Sequence, residues 1–276
     1  MKNLLLIIAT FLMAMSTSAQ TLPKPSPLGT NSQVVGVTSV SFEYSRPGVK
    51  DREIFGGLLA YGELWRFGAN SATKFTIDTD IKFEEGILAA GSYAMFAIPN
   101  KDMWTIIFNK DTKQSGTESY SQDLDALRVK VKAMENSFTE TFTLGVDNVR
   151  NDGASLVMLW DKTKLEIPFT VETNKLAEYN IQEAEKKGEN LADVYGNAAN
   201  FYYGTLKDYN KALAYADKSI KLGENYRNVF MKARILKELG NTKEATTLAT
   251  KALDLATKED AKGYMNFISG TLDSWK

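Results

Sequence analysis

The chain has 276 residues, room for two modest domains, and a formal net charge of −1, which gives no electrostatic footprint for nucleic acid. It contains neither His nor Cys. That excludes a Ser-His-Asp triad, a thiol nucleophile, disulfides, and imidazole or thiolate metal sites. Asp, Glu, Lys, Tyr and Arg remain for any acid–base chemistry, and no metal or cofactor is expected.

At the amino terminus, Lys2 precedes an apolar run from Leu4 to Met15 broken only by Thr10, and Ser16, Thr17, Ser18 and Ala19 follow. A positive start, a short apolar core and a small-residue exit are what a signal peptidase reads. Residues 1–19 are therefore expected to be a signal peptide cleaved before Gln20, and the protein to be exported, to the periplasm or beyond it. The apolar run is about 12 residues, short of the roughly 20 that a spanning helix needs. No Cys at the cleavage site offers a lipid anchor and no second long apolar run follows, so the mature chain is expected to carry no membrane anchor. Pro23, Pro25 and Pro27 mark residues 20–31 as a linker.

Residues 32–172 carry the alternating rhythm of half-buried strands. Val40, Phe42 and Tyr44 alternate with polar neighbours, as do Phe75 and Ile77, Val129 and Val131, and Leu165, Ile167, Phe169 and Val171. Phe138, Phe142 and Leu144 sit at even spacings. Tyr93–Ile98 and Trp104–Phe108 are apolar on both faces and read as central strands joined by a turn at Pro99–Asp102. Leu156–Trp160 and Lys164–Val171 read as a second hairpin turning at Asp161–Thr163, with Pro168 pushing its strand toward an edge. Short strands with turn signals between them predict an antiparallel sandwich or jelly-roll-like barrel.

From Thr173 to the end at Lys276 the rhythm is helical. Leu191, Val194, Tyr195, Ala198 and Tyr202 share one face, and so do Ala245, Leu248, Ala249, Ala252 and Ala256. Asn190, Asn241 and Thr257, each with an acid three residues on, predict helix starts, and Gly188, Gly204, Gly223 and Gly240 predict stops. About six helices result. Thr205–Ile220 aligns with Glu238–Leu253 at a shift of 33 residues, placing Ala212 on Ala245 and Ala216 on Ala249. The pattern resembles a tetratricopeptide repeat, whose period is about 34. That resemblance implies helical hairpins offering a groove for a partner protein or a platform for the β-domain. Two or three helix pairs are few for a free solenoid, so the helices are expected to lean on the β-domain. The fold class is α+β.

The segment YSRPGVKDREIFGGLLAYGELWRFGANSAT, from Tyr44 to Thr73, combines Arg46, Lys50, Arg52 and Arg66 with Tyr61 and Trp65 in little periodic pattern. Long structured connections of this kind serve function or cover an open part of the core. Four elements stand out: Tyr44–Pro47, Arg52–Gly56, Tyr61–Asn70 and Ala90–Tyr93. Through them the chain resembles the bacterial family catalogued as domain of unknown function 2911, over about Pro25 to Val171. Where family members often have Pro and Thr, this chain has Ala60 and Phe67, which leaves the charged and aromatic positions in place. The resemblance implies an exported β-rich domain, often followed by helical repeats. It implies no activity, so the catalytic residues are unknown.

Arginine forks suit carboxylate or phosphate, and Trp and Tyr faces suit sugar rings. One reading makes a ligand pocket in which Arg46, Arg52 and Arg66 meet a small anion or sugar beside Trp65, with Asn70, Thr73 and Tyr93 as polar contacts. The other pairs these arginines with Glu43, Asp51, Glu53 or Glu63 and makes Trp65 core. Asp78, Asp80, Glu84 and Glu85, and the Asp147–Gly153 turn, carry oxygens that could hold a hard cation, but hairpin-face charge and turn chemistry account for both. The expected function is an exported binding or interaction protein. Its rivals are a carboxylate-pair enzyme such as a carbohydrate hydrolase, with two acids roughly 5 to 10 Å apart in a cleft, and a structural envelope protein without a pocket.

Overall fold

The computed structural model describes residues 22–188 and 190–276; the expected signal peptide lies outside them, as do the first two residues of the expected linker. Ten strands come first: β1 (Leu28–Val35), β2 (Thr38–Ser45), β3 (Ala69–Ile77), β4 (Ile81–Lys82), β5 (Ile87–Leu88), β6 (Gly91–Ile98), β7 (Met103–Asn109), β8 (Asp125–Lys132), β9 (Met134–Arg150) and β10 (Gly153–Val171). They form two antiparallel sheets, of order β1-β2-β3-β6-β7-β8 and β5-β4-β10-β9. The two sheets share one core. Phe42, Phe75, Trp104 and Phe108 from the first meet Phe142, Leu144, Trp160 and Phe169 from the second. Of the two expected forms, the sandwich is the one present, and its larger sheet is mainly a meander.

The strands that read as apolar on both faces are β6 and β7, in the middle of the six-stranded sheet. Their inward residues join the main core. On the outer face Ala94, Phe96 and Ile107 are buried beneath Leu64, Ala72 and Tyr120, from the loops to either side of these strands and the start of β3.

Four sequence expectations are corrected. β1 begins at Leu28, inside the segment read as linker. It is an edge strand whose only buried residue is Val35, so it carries no alternation to read. The hairpin expected at Asp161–Thr163 does not form, because β10 runs unbroken through it. The left-handed backbone that the turn residues favour is used at Asp161 (φ 53°) for a bulge against β9, while the true turn is Asn151–Asp152. Pro168 is not on an edge strand, since β10 lies between β4 and β9. It falls between the stretch paired with β9, which ends at Lys164, and Thr170, where pairing with β4 begins, so its missing N–H breaks no ladder bond. Phe138 is exposed while Phe142 and Leu144 are buried, because the bulges turn the start of β9 outward.

Six helices follow: α1 (Thr173–Lys187), α2 (Leu191–Phe201), α3 (Tyr209–Leu222), α4 (Tyr226–Glu238), α5 (Thr242–Lys258) and α6 (Lys262–Ser274). Short loops between them make consecutive helices antiparallel neighbours. Ala212 and Ala216 on α3, and Ala245, Ala249, Ala252 and Ala256 on α5, are all buried. Gly188, Gly223 and Gly240 follow the ends of α1, α3 and α4 as expected, whereas Gly204 lies in a π-helical turn, Tyr202–Leu206, that closes α2. Two working caps are Asp208, which accepts from Lys211 N at 3.0 Å, and Asn225, which forms a reciprocal box with Asn228. Asn190 and Asn241 stand at helix starts without a side-chain cap bond. Thr257 is inside α5, its hydroxyl donating to Leu253 O at 2.8 Å, so it does not start a helix as expected.

The expectation that the helices lean on the sandwich is also corrected. Among the described residues the helices pack mainly on one another, over cores built around Tyr226, Phe230 and Ile268, and around Tyr202 and Ile235. The joint with the sandwich is narrow. Thr173 Oγ1 donates to Asn151 O and lies against Gly36, whose φ of 60° and missing side chain let the β1–β2 turn approach. Among the described residues no helix is long and apolar enough to cross a membrane.

Candidate functional site

The β2–β3 connection bridges the two sheets. Val49 N donates to Glu140 O of β9 at 2.8 Å, and Trp65 exchanges backbone bonds of 2.8 Å with Ala97 of β6. The seven expected site residues are distributed along and beneath it. Arg46 reaches across to β9, donating to Phe142 O at 3.1 Å and Thr143 Oγ1 at 2.9 Å. Tyr44 does the same from the core, its hydroxyl bonding both Leu144 O and Leu144 N. Arg52 closes its own turn, donating to Val49 O and Gly48 O. Asn70 bonds Ser26 O and Ser45 Oγ. Thr73 is buried and donates to Phe67 O. Tyr93 is buried and donates to Ala89 O at 2.7 Å, and its pKa is raised by that burial and then by Asp80 nearby.

Trp65 is core: it is 5 % exposed, stacks on Trp160 at 5.6 Å, and donates its indole N–H to Gly68 O. Arg66 beside it is half-buried, with its Nε lacking a partner among the described residues. These residues therefore do not converge on one open cavity, and the arginines do not take the acidic partners of the alternative reading either. Arg46 and Arg52 are held by oxygens of the backbone and of Thr143, which clamps the connection to the sheets. Three of the carboxylates considered for a cation are also engaged. Asp78 accepts from Ser39 N, Asp80 from Ala90 N and Glu85 from Lys130 N. Among the described residues no cluster of carboxylates could hold a metal ion.

A groove does form in the helical region. Residues of α2, α3, α4 and α6 enclose a cavity of about 310 Å³. Its floor is rigid: Asn228 Nδ2 donates to Ser219 Oγ and Gly223 O, and Ser219 donates to Ala192 O. Its rim is open and cationic. Arg227 stacks over Tyr226 and Tyr264, at 5.0 and 5.9 Å from the ring centres. Arg234 stacks over Tyr203 and Phe267, at 4.6 and 5.8 Å. Phe267 is 51 % exposed, and Asn197 and Asn200 face the same space from α2. Among the described residues the arginines paired with carboxylates are Arg128 and Arg150, and neither groove arginine is. Stacking fixes a guanidinium plane while leaving its N–H edge able to donate. Asp193 is the one carboxylate of this lining, and each of the other described cavities has at most one, so none presents the carboxylate pair a glycosidase needs.

The sequence led to the expectation of a groove on the helical tail but not to the residues that line it. The available signal was spacing: Arg227 and Arg234 lie seven apart on α4, Asn197 and Asn200 three apart on α2, and Tyr264 and Phe267 three apart on α6, each pair on one helix face.

An antiparallel β-sandwich carrying a tail of α-helical hairpins, with the concave face on the tail, is the class of protein that fold and groove define. Residues 26–169, just over half of the chain, match the family described as "Protein of unknown function (DUF2911)", and the chain belongs to that family. No curated protein and no solved structure matches it.

Proposed function

We propose that this is an exported interaction protein whose helical groove grips an extended, carboxylate-bearing segment of a partner protein, while the sandwich serves as its rigid mount. One observation carries the reading: Arg227 and Arg234, held against aromatic rings on the rim of a cavity of about 310 Å³, have no carboxylate of their own among the described residues. Planar cations fixed in this way match carboxylates in paired N–H geometry. Exposed Phe267 and half-exposed Tyr264 add flat apolar surface for the neighbouring side chains of a bound segment. Export follows from the charge, apolar core and small-residue exit of residues 1–19.

Fluorescein-labelled octapeptides ending in Asp or Glu test the groove against the same peptides amidated and with Gln in place of Glu. Arg227→Gln with Arg234→Gln is expected to weaken binding of the acidic peptides by about tenfold or more, as loss of two charge-assisted contacts requires. Equal binding by the double variant, or by the neutral peptides, overturns the reading. Export is tested by mass spectrometry of the mature protein after expression in a double-membraned bacterium, where the chain is expected to begin at Gln20 in the periplasmic fraction.

A further inference from the structure

The interior beneath the Lys50–Tyr61 part of the β2–β3 connection holds two polar groups that neither the packing nor the helical groove explains. Trp104 on β7 and Trp160 on β10 come from opposite sheets, and each is 1 % exposed. Among the described residues neither indole N–H has an acceptor. Trp65, the third indole of the cluster, does have one, in Gly68 O at 2.9 Å. A buried donor without a partner is a standing cost, and native interiors keep few of them. Here both indoles pack against one ring. Phe55 lies 4.8 Å from Trp104 and 5.9 Å from Trp160, edge-on to both, and 6.4 Å from Trp65.

Phe55 is placed as a stopper. It belongs to the connection and not to a strand, and it is partly exposed where the three indoles below it are buried. The turn that carries it is closed on itself, by Leu58 N to Glu53 O, Leu59 N to Ile54 O and Gly56 N to Leu59 O. At Gly56 the φ of 96° and the Tyr61 ring packed against its Cα admit no side chain. Lys50 and Asp51 (φ 50° and 56°) on one side and Gly62 (φ 84°) on the other hold left-handed backbone. Phe55 leaves only if the turn shifts as a unit, drawing the fully buried Ile54 with it.

We propose that the space Phe55 fills is a binding site for a small, flat, uncharged molecule, an aromatic ring bearing a carbonyl, whose oxygen accepts from the indole N–H groups of Trp104 and Trp160. The walls dictate the class. Trp65, Trp104, Trp160 and Phe142 present ring faces and edges, which select a flat apolar body. The core residues packed around it are apolar, which disfavours an ion. The free N–H groups ask for an acceptor. Because the stopper must leave first, affinity is reduced by the fraction of time it is out. The site is separate from the helical groove, and failure of the peptide experiment leaves it untouched.

The four tryptophans give four indole N–H signals in a nitrogen–proton correlation spectrum of the whole protein. The probes are acetophenone and α-methylstyrene, which has the same shape with a CH₂ group in place of the carbonyl oxygen. With acetophenone the Trp104 and Trp160 signals are expected to move downfield and saturate, while that of Trp65, already bonded to Gly68 O, moves less and that of Trp275 stays. α-Methylstyrene is expected to bind at least about tenfold more weakly, since it leaves the donors unpaired. Phe55→Ala is expected to tighten acetophenone binding by a similar factor. The proposal is overturned if the native protein shows no saturable movement up to the solubility of acetophenone, even if Phe55→Ala binds it, because that would be a hole made by the substitution. It is overturned equally if the two probes bind alike, because the N–H groups would then play no part.

Discussion

The sandwich and the helical region become compact by opposite means. Between the sheets, rings fill the space: Trp65, Trp104, Trp160, Phe67 and Phe142 touch in one continuous cluster. Between the helices, methyl groups hold the closest positions, at Ala212, Ala216, Ala245, Ala249, Ala252 and Ala256. Sheets stack about 10 Å apart and need large side chains to bridge the gap, whereas small residues let helix axes approach. The difference decides where each region can meet another molecule. Large rings close the sandwich interior and bury donors within it; small residues draw the helices together along one line and leave longer side chains, Arg227 and Arg234 among them, to overhang a groove.

Separate cores predict separate melting, and the sharpest test is the largest. Trp160→Ala is expected to destabilise the sandwich by about 3–5 kcal/mol, read as early loss of near-ultraviolet aromatic dichroism while the helical signal keeps its own midpoint. Loss of both together would make the two regions one cooperative unit and break the contrast. Ala249→Leu, overfilling α5, is expected to cost about 1–3 kcal/mol in the helical transition alone, measured by urea denaturation followed in the far ultraviolet.

Within the sandwich, Arg46→Ala is expected to cost about 1–2 kcal/mol through its two bonds to β9. Arg52→Ala, at an exposed turn, is expected to cost less than about 0.5 kcal/mol. Equal urea midpoints for the two variants would remove the clamping role assigned to Arg46. The last effect is one of pH. Burial, and then the bond to Glu178 Oε1, raise the Tyr202 hydroxyl above its ordinary value of 10.0. The folded chain keeps this proton while the unfolded chain loses it, so helical stability is expected to fall as pH rises past 10.0. Tyr202→Phe should flatten that slope in urea midpoints taken across the range.

How much was legible in the chain follows from where burial was one-sided. Phe75 and Ile77, or Leu165 to Val171, alternate because one face of their strands meets the core and the other meets water. β6 and β7 were readable as central because both their faces are covered. β1 was not readable, since almost every side chain on it is exposed, and Asp161 misled because a bulge and a hairpin turn demand the same left-handed backbone. The Tyr44–Thr73 cluster was seen as dense, and of its two readings neither named the partners its arginines take: arginine donates to carbonyl oxygens as readily as to a ligand or a carboxylate, and sequence does not show which carbonyls will be near. The lining of the groove was hidden for a different reason. Its arginines lie on α4, and apart from Tyr226 beside Arg227 the rings that orient them lie on α2's closing turn and α6, so only the stacking of helices brings them together.

A single residue, Glu172, separates the last strand from the first helix, and the next, Thr173, is tied back to the Asn151 turn and wedged against Gly36. A flexible tether of n residues would let its two ends wander over a distance growing as the square root of n. With one residue and a pinned neighbour there is almost no such latitude. The tail is therefore held to the sandwich at a fixed bearing, so that the two regions turn together and not independently.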